Sequence, residues 1–307
     1  MNMSKNRASA IYRLYGLSGK LLQSTLNDLE EYWKAKSIIY LDILGLPTLK
    51  GVAVTDWNDS IKHELKRFLN LEGWKAVVIR TDRKGGMGVH PPIGGYLVNL
   101  VDLDEQVQKF LAEDRIVMLL EPRDRYSNLY GINVMYDEKS PETLYLEVVG
   151  PGFDVSDINR GDLSPHERIW IRRRSNFRVT QRSITSLEEY KSSIERRLSK
   201  IGRLVTQNHG RAQKSEAEFR SLAEQFLEMN NYNLLLRHAG GYSPISIEYI
   251  ERVSHFVNEL PETMKQLGLE TNLFVISATI FESTEELIFW DIVWPQRKLG
   301  NASHVRK

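Results

Sequence analysis

The run Lys75-Ala-Val-Val-Ile-Arg80, followed shortly by Arg83-Lys-Gly-Gly-Met-Gly-Val-His-Pro-Pro-Ile-Gly-Gly95, is the stretch on which the fold reading turns. A short apolar run, mostly β-branched and bounded by charge, reads as a strand. The Gly- and Pro-rich segment after it reads as a loop. Its five glycines permit backbone angles that other residues resist. Such loops let backbone N–H groups approach phosphate oxygens, and Arg80, Arg83 and Lys84 add positive charge. It is not a P-loop, because no Gly-Lys-Ser/Thr closes it, and it is not a Gly-x-Gly-x-x-Gly turn at a helix start. A flexible surface hairpin explains the same composition.

Similar signals extend in both directions. Ser18–Leu44 follows helical spacing for much of its length and stops at Gly45-Leu-Pro47, where Gly ends a helix cheaply and Pro cannot continue one. Gly51–Thr55 reads as a buried strand, and Asp59 or Ser60 as the cap of a helix reaching about Leu71. Tyr96–Leu100 and Ile116–Glu121 read as strands around a helix at Leu103–Glu113. Tyr130–Asp137 and Leu144–Val149 make an antiparallel pair. Residues 186–228 are rich in Glu, Lys, Arg, Leu and Ala, a helical composition. Leu273–Ile280 and Leu287–Trp294 close the pattern as two strands. The expected class is α+β with mixed, mainly antiparallel sheets flanked by helices.

Composition narrows the chemistry. The chain has 307 residues, 41 Lys plus Arg against 40 Asp plus Glu, and no Cys. That balance is globular, and the length suits one large or two ordinary domains. Without Cys there is no disulfide, thiol nucleophile or Cys-based zinc site. A net charge of +1 gives no global reason to bind nucleic acid. Local basic patches remain at Arg172-Arg-Arg174 with Phe177-Arg178, and in the tail 296–307. No apolar run approaches the roughly 20 residues that cross a bilayer, and no signal-type run follows Met1, so a cytoplasmic location without membrane association is expected.

Several side chains are candidates for chemistry. Glu121, at a strand end before Pro122, can accept from the exocyclic amine of a base or simply be solvated. Asp154, Asp157, Asn159, Arg160 and Asp162 crowd one loop, which suits an acceptor site or an ordinary Asx-rich turn. Asp291 lies in the apolar run Ile288–Trp294, where an ionised carboxylate is costly unless paired or metal-bound. Ser277 and Thr279 alternate on the neighbouring strand; Glu282 and Glu285 lie in the connecting turn. His238 before Ala239-Gly-Gly241 is a lone histidine, more often structural than functional.

The serial order of these features carries a resemblance. Lys34-Ala-Lys36-Ser-Ile-Ile-Tyr-Leu-Asp-Ile-Leu-Gly-Leu-Pro-Thr-Leu-Lys-Gly-Val-Ala-Val-Thr55 resembles the opening of an ATP-grasp region. Val77–Arg80 with its glycine-rich continuation, Ile116–Pro122, Tyr130–Met135 and Val149–Phe153 follow in similar order. The pattern is closest to the nucleotide-binding domain of phosphoenolpyruvate synthase and pyruvate phosphate dikinase. It covers about residues 34–161 and 273–295. One departure is that Asp291 and Trp294 precede Pro295, where the family presents Gln and Arg.

The resemblance implies an ATP-grasp-like lobe over 1–117 with the phosphate loop, a second lobe over 118–295 that includes the helical segment 186–228, and a basic tail. It implies an ATP- and Mg²⁺-dependent ligase or phosphotransferase with an unidentified small-molecule or peptide acceptor, and it leaves room for a protein partner. Lys36, Arg80 and Lys84 would neutralise phosphates, and Glu121 would meet the adenine edge. Asp291, with Ser277 or Glu282, would hold Mg²⁺. Arg160 would clamp the acceptor as a catalytic partner of Arg80. Two other readings stand beside it: a non-catalytic nucleotide- or partner-binding module of that fold, and a nucleic-acid-handling protein using the Arg172–Arg178 patch.

Overall fold

The computed structural model describes residues 11–83, 96–112, 115–123, 128–150, 155–159, 164–173, 178–186, 189, 192, 244–281 and 284–294. In chain order the elements are β1 (Ile11–Arg13), α1 (Gly19–Asp28), α2 (Trp33–Ile43), β2 (Gly51–Val54), α3 (Asp59–Glu72), β3 (Ala76–Arg83), β4 (Tyr96–Asn99), α4 (Leu103–Leu111) and β5 (Arg115–Leu120). They continue with β6 (Asn128–Asp137), β7 (Thr143–Val149), α5 (Val155–Asn159), β8 (Glu167–Arg172), β9 (Arg178–Ile184), α6 (Ile247–Val257), α7 (Leu260–Gln266), β10 (Leu273–Phe281) and β11 (Leu287–Val293). The α+β expectation is met, with antiparallel strand pairing throughout the named sheet ladders. Two compact units result: Met1–Ser127 with Glu259–Lys307, and Asn128–Asn258. The expected lobe boundary at 117 falls inside β5. Almost all of 186–228 and all of the tail 296–307 lie outside the described residues.

The first unit is built on a five-stranded sheet of order β1-β2-β5-β3-β4. Side chains on a strand alternate between faces. Along β5, Ile116, Met118 and Leu120 enter one core with Ala53, Val78, Ala35, Ile38 and Ile39; Phe281 of β10 and Ile288 of β11 join it. Val117 and Leu119 enter the opposite core with Ile61, Leu65 and Leu69 of α3, and Val107 and Phe110 of α4. Arg80 and Asp82 follow Val78 at alternate positions of β3, so they share its face with α2. At the end of β2, a Cβ on Gly51 would meet Leu120 Cδ2 at 2.5 Å and the Leu119 carbonyl oxygen at 2.6 Å. Only glycine permits that approach.

The helical stretch 18–44 forms two helices, α1 and α2. Leu29 and Ile38 are nine residues apart, about two and a half turns, and would lie on opposite sides of a continuous helix. The break before Trp33 returns both to one core. The cap of α3 is Asn58, not Asp59 or Ser60: its side chain accepts from the Ile61 N–H at 3.1 Å, and Gly73 closes the helix at φ 70°.

In the second unit, β6, β7, β8 and β9 form an antiparallel meander. Ile132, Val134, Leu144, Leu146, Val148, Ile169 and Ile171 bury one face. The ring contact of Tyr130 with Tyr249, centroids 6.0 Å apart, sets α6 against that side. Arg173 is 3% exposed; its Nε donates to the Asn258 carbonyl at 3.0 Å just past the end of α6, and its Nη1 to the Pro141 carbonyl at 2.8 Å. Glu167, fully buried, pairs with Arg182 and accepts from the Ile245 N–H at 3.2 Å.

His166 is buried beside this pair, and its Nδ1 accepts from the Gly150 N–H at 2.5 Å, which requires a neutral ring. Burial pushes its pKa down to about 4. The unfolded chain protonates first as pH falls below about 6.5, so this contribution is complete above that value and is lost toward pH 4. At about 1.36 kcal/mol per pKa unit, roughly 2–3 kcal/mol should disappear between pH 7 and pH 4.5. Urea unfolding at both values checks this; His166→Gln should lack that part of the slope.

Candidate functional site

The turn Gly45-Leu-Pro47, which ends α2, receives strand β11. The Phe289 N–H donates to the Pro47 carbonyl at 2.7 Å, and the Thr48 hydroxyl donates to the Phe289 carbonyl at 2.9 Å. This docking brings Asp291 to the middle of α2. The Ser37 hydroxyl donates to Asp291 Oδ1 at 2.6 Å and its oxygen accepts from the Ile292 N–H at 2.6 Å. From β3, Arg80 Nη1 donates to the Trp290 carbonyl at 2.7 Å, while its Nη2 lies 3.7 Å from Asp291 Oδ2. Ser277 is the cross-strand partner of Asp291 in the β10–β11 ladder, and a bulge follows it. Arg80, Ser277 and Asp291 are thus brought together, with Ser37 at their centre.

Two positions further along β3, Asp82 caps α2. Its Oδ2 accepts from the Lys34 N–H at 2.5 Å and the Ala35 N–H at 3.4 Å. Burial raises its pKa; the N–H groups of Arg83 and Lys34 and the Lys34 charge oppose the shift. This acid already occupies the α2 N-terminus, so that end is closed to a second anion. Lys36 stands half-buried in the first turn, its Nζ 5.3 Å from the Trp33 ring centre. Trp33 and Tyr40 make edge contacts with Trp294, centroids 5.2 Å and 5.9 Å apart.

Glu121 sits apart from this group. Arg80 is paired with Met118 in the β3–β5 ladder, and Glu121 lies three residues beyond it, about 10 Å along the strand. Its carboxylate is 3.1 Å from Arg123 Nη1, and Arg123 Nη2 is 3.3 Å from Glu286. Lys84, Arg160, Glu282, the glycine-rich loop, Asp154, Asp162 and His238 lie outside the described residues.

Sequence reasoning missed Ser37 and Asp82, whose importance comes from long-range contacts. It also missed a polar face in the second unit that alternation could have revealed. Across β6, β7 and β8, Asn133 is paired with Glu147 and Glu147 with Arg168; the next row joins Met135, Tyr145 and Trp170. The Tyr145 hydroxyl donates to Glu147 Oε1 at 3.2 Å, and Asn133 Nδ2 donates to Asn159 Oδ1 at 2.8 Å. Burial raises the Glu147 pKa, against the Tyr145 hydrogen bond and the Arg168 charge. Burial also pushes the Tyr145 phenol up to about 12.

Neither set is a preformed cluster of acids: among the described residues, no group of three or more His, Cys, Asp or Glu side chains is placed to hold a metal ion. The protein donors at Asp291 are one carboxylate, one of whose oxygens lies beyond hydrogen-bond distance of Arg80, and the Ser277 hydroxyl opposite. This oxygen-only set fits Mg²⁺, which takes few protein ligands and fills its shell with water and substrate phosphates. No helix among the described residues is long and apolar enough to cross a membrane.

No family model matches the chain, and no curated protein matches it. Among solved structures it is similar to D-alanyl-alanine synthetase A from Vibrio cholerae O1 biovar eltor str. N16961, with 10% sequence identity and a TM-score of 0.37 over 88% of this chain. The matched part spans 61% of that protein's chain, less than two thirds of its length.

The Arg80–Asp291–Ser37 group is structural before it is anything else, and substitution separates its parts. Asp291→Ala leaves a buried guanidinium and a buried hydroxyl unmatched, and should cost about 2–4 kcal/mol in urea unfolding. Asp291→Asn keeps an acceptor for Ser37 and should cost less than half as much.

Proposed function

We propose that the chain is an ATP- and Mg²⁺-dependent enzyme of ATP-grasp type, a ligase or phosphotransferase acting on an acceptor still to be identified. The observation that carries this reading is the meeting of Arg80 and Asp291, a buried cation and an acid 3.7 Å apart on β3 and the last strand. A guanidinium fixed in advance by Trp290 and Asp291 can face phosphate without reorganising. Lys36, half-buried on the same helix that carries Ser37, supplies a second cation. Lys84, next in the sequence after β3, is proposed as the third.

Asp291 and Ser277 are the proposed Mg²⁺ donors in this unit, with Glu282 in the turn between their strands. When bound, Mg²⁺ neutralises phosphate oxygens and polarises the transferring phosphoryl group. The second unit offers an independent pair of hard donors in Asn133 and the partly buried Glu147, which are paired across β6 and β7. Glu121 is proposed to accept from the adenine amine, since ion pairing with Arg123 leaves acceptor lone pairs on its carboxylate. Arg160 is proposed to clamp the acceptor. A carboxylate acceptor would take the γ-phosphoryl group, release ADP and give an acyl phosphate open to an amine; a hydroxyl or His acceptor would end at phosphotransfer.

A ligand that binds only the folded state raises its stability, by about 2.7 kcal/mol at one hundred times Kd. Mg-ATP should therefore raise Tm by several degrees, and Lys36→Ala should remove most of that rise, measured against the variant's own ligand-free Tm. Absence of any shift at millimolar Mg-ATP would sink the reading. Mg²⁺ titrations with Asp291→Asn and Glu147→Gln identify which acid carries the ion.

Glu147→Gln has a second readout. The folded pKa is raised, so between the ordinary carboxylate range and that raised value the unfolded chain ionises first and stability falls as pH rises. The substitution should therefore stabilise the protein at pH 7 and flatten this part of the profile, measured by urea unfolding.

A further inference from the structure

The polar face of the second unit continues beyond Asn133 and Glu147, and the rest of it has no part in the chemistry above. Along β8 the residues on this face are Arg168, Trp170 and Arg172; Ile169 and Ile171 point to the buried side. Tyr145 packs on Trp170 with ring centroids 5.1 Å apart and planes at 51°. Beyond them, Arg172 is paired directly with Arg178 of β9, and both are exposed. Like charges at directly opposed positions are destabilising in a sheet. Among the described residues, neither guanidinium has a hydrogen-bond or ion-pair partner. Gln181 lies opposite Trp170 and is also exposed. Among the described residues β9 is the last strand of its sheet, and no described strand pairs with its outer edge.

We propose that this face binds single-stranded nucleic acid, over a site of two or three nucleotides. Tyr145 and Trp170 give half-exposed aromatic surface for bases, which stack on such rings with little regard to sequence. Arg172 and Arg178 meet the backbone phosphates, and the repulsion between them is relieved when an anion lies across both. Arg168 gives a second positive point about 13 Å from Arg172 along the strand. That length limits the site to a few nucleotides. A duplex, with its bases turned inward, has no use for the rings. The near-neutral charge of the whole chain sets a modest affinity, because affinity for a phosphate backbone follows the number of cations that meet it.

The experiment uses the full chain and a fluorescein-labelled ten-nucleotide oligo(dT) or oligo(U), read by anisotropy between 50 and 200 mM NaCl. The proposal expects saturable binding, quenching of Trp fluorescence, and a slope of log K against log salt of about −1.4 to −2.1, from about −0.7 per phosphate for two or three contacts. Trp170→Ala should weaken binding about 10-fold, and Arg172→Glu with Arg178→Glu at least as much. Arg67→Glu, an exposed charge reversal on α3, should leave it unchanged. Far-UV circular dichroism and Tm establish that each variant is folded, and all four substitutions are of side chains that reach solvent. Equal weakening by Arg67→Glu would overturn the proposal as general charge attraction. No effect of Trp170→Ala or of the arginine pair would overturn it, as would equal affinity for a free mononucleotide or for blunt duplex.

Discussion

Ser37 is the hinge-pin of the first unit. Its hydroxyl is fully buried, donates to Asp291 and accepts from the Ile292 N–H, so one small side chain on α2 holds both the acid and the backbone of the last strand. Arg80 reaches the same strand from the sheet. Three elements that are remote in sequence therefore meet through polar bonds inside a layer otherwise made of Ile, Leu, Ala and Phe. The placement is demanding because a partly buried carboxylate is costly unless donors match it. It follows that the position of β11 on α2 is fixed as much by charge satisfaction as by the apolar contacts of Phe281 and Ile288.

Much of the framework was legible beforehand. The β-branched runs of β2, β3 and β5 are strands, and Gly45-Leu-Pro47 does end α2. These signals are local, arising from side-chain branching, glycine freedom and the missing proline N–H. The helical spacing over 18–44 does not show the break before Trp33, which has a nonlocal reason: one core has to receive both Leu29 and Ile38. The same distinction applies to the site. Asp291 stood out as an acid in an apolar run, whereas nothing near Ser37 or Asp82 announced a role. Their partners come from other elements, and spacing along one segment does not encode them.

In the second unit, alternation reads differently on the two sides of one sheet. The apolar side is closed by α6 and secured at the helix end by Arg173. The other side carries the buried Asn133 and the partly buried Glu147, Arg168, Tyr145 and Trp170. Arg172 and Arg178 first read as a patch; the ladder makes them a facing pair. A run of arginines in a sequence gives composition, but strand register decides which charges confront one another.

The bridge from Thr48 to Phe289 has a consequence for biosynthesis. The first unit is discontinuous: its core receives Phe281 and Ile288 only after the whole inserted unit has left the ribosome. Until then Leu14, Ile38 and Met118 lack part of their cover, and the α2 surface that later holds β11 stays accessible to wrong partners. The nascent amino-terminal half is therefore the stage at which a chaperone would matter most.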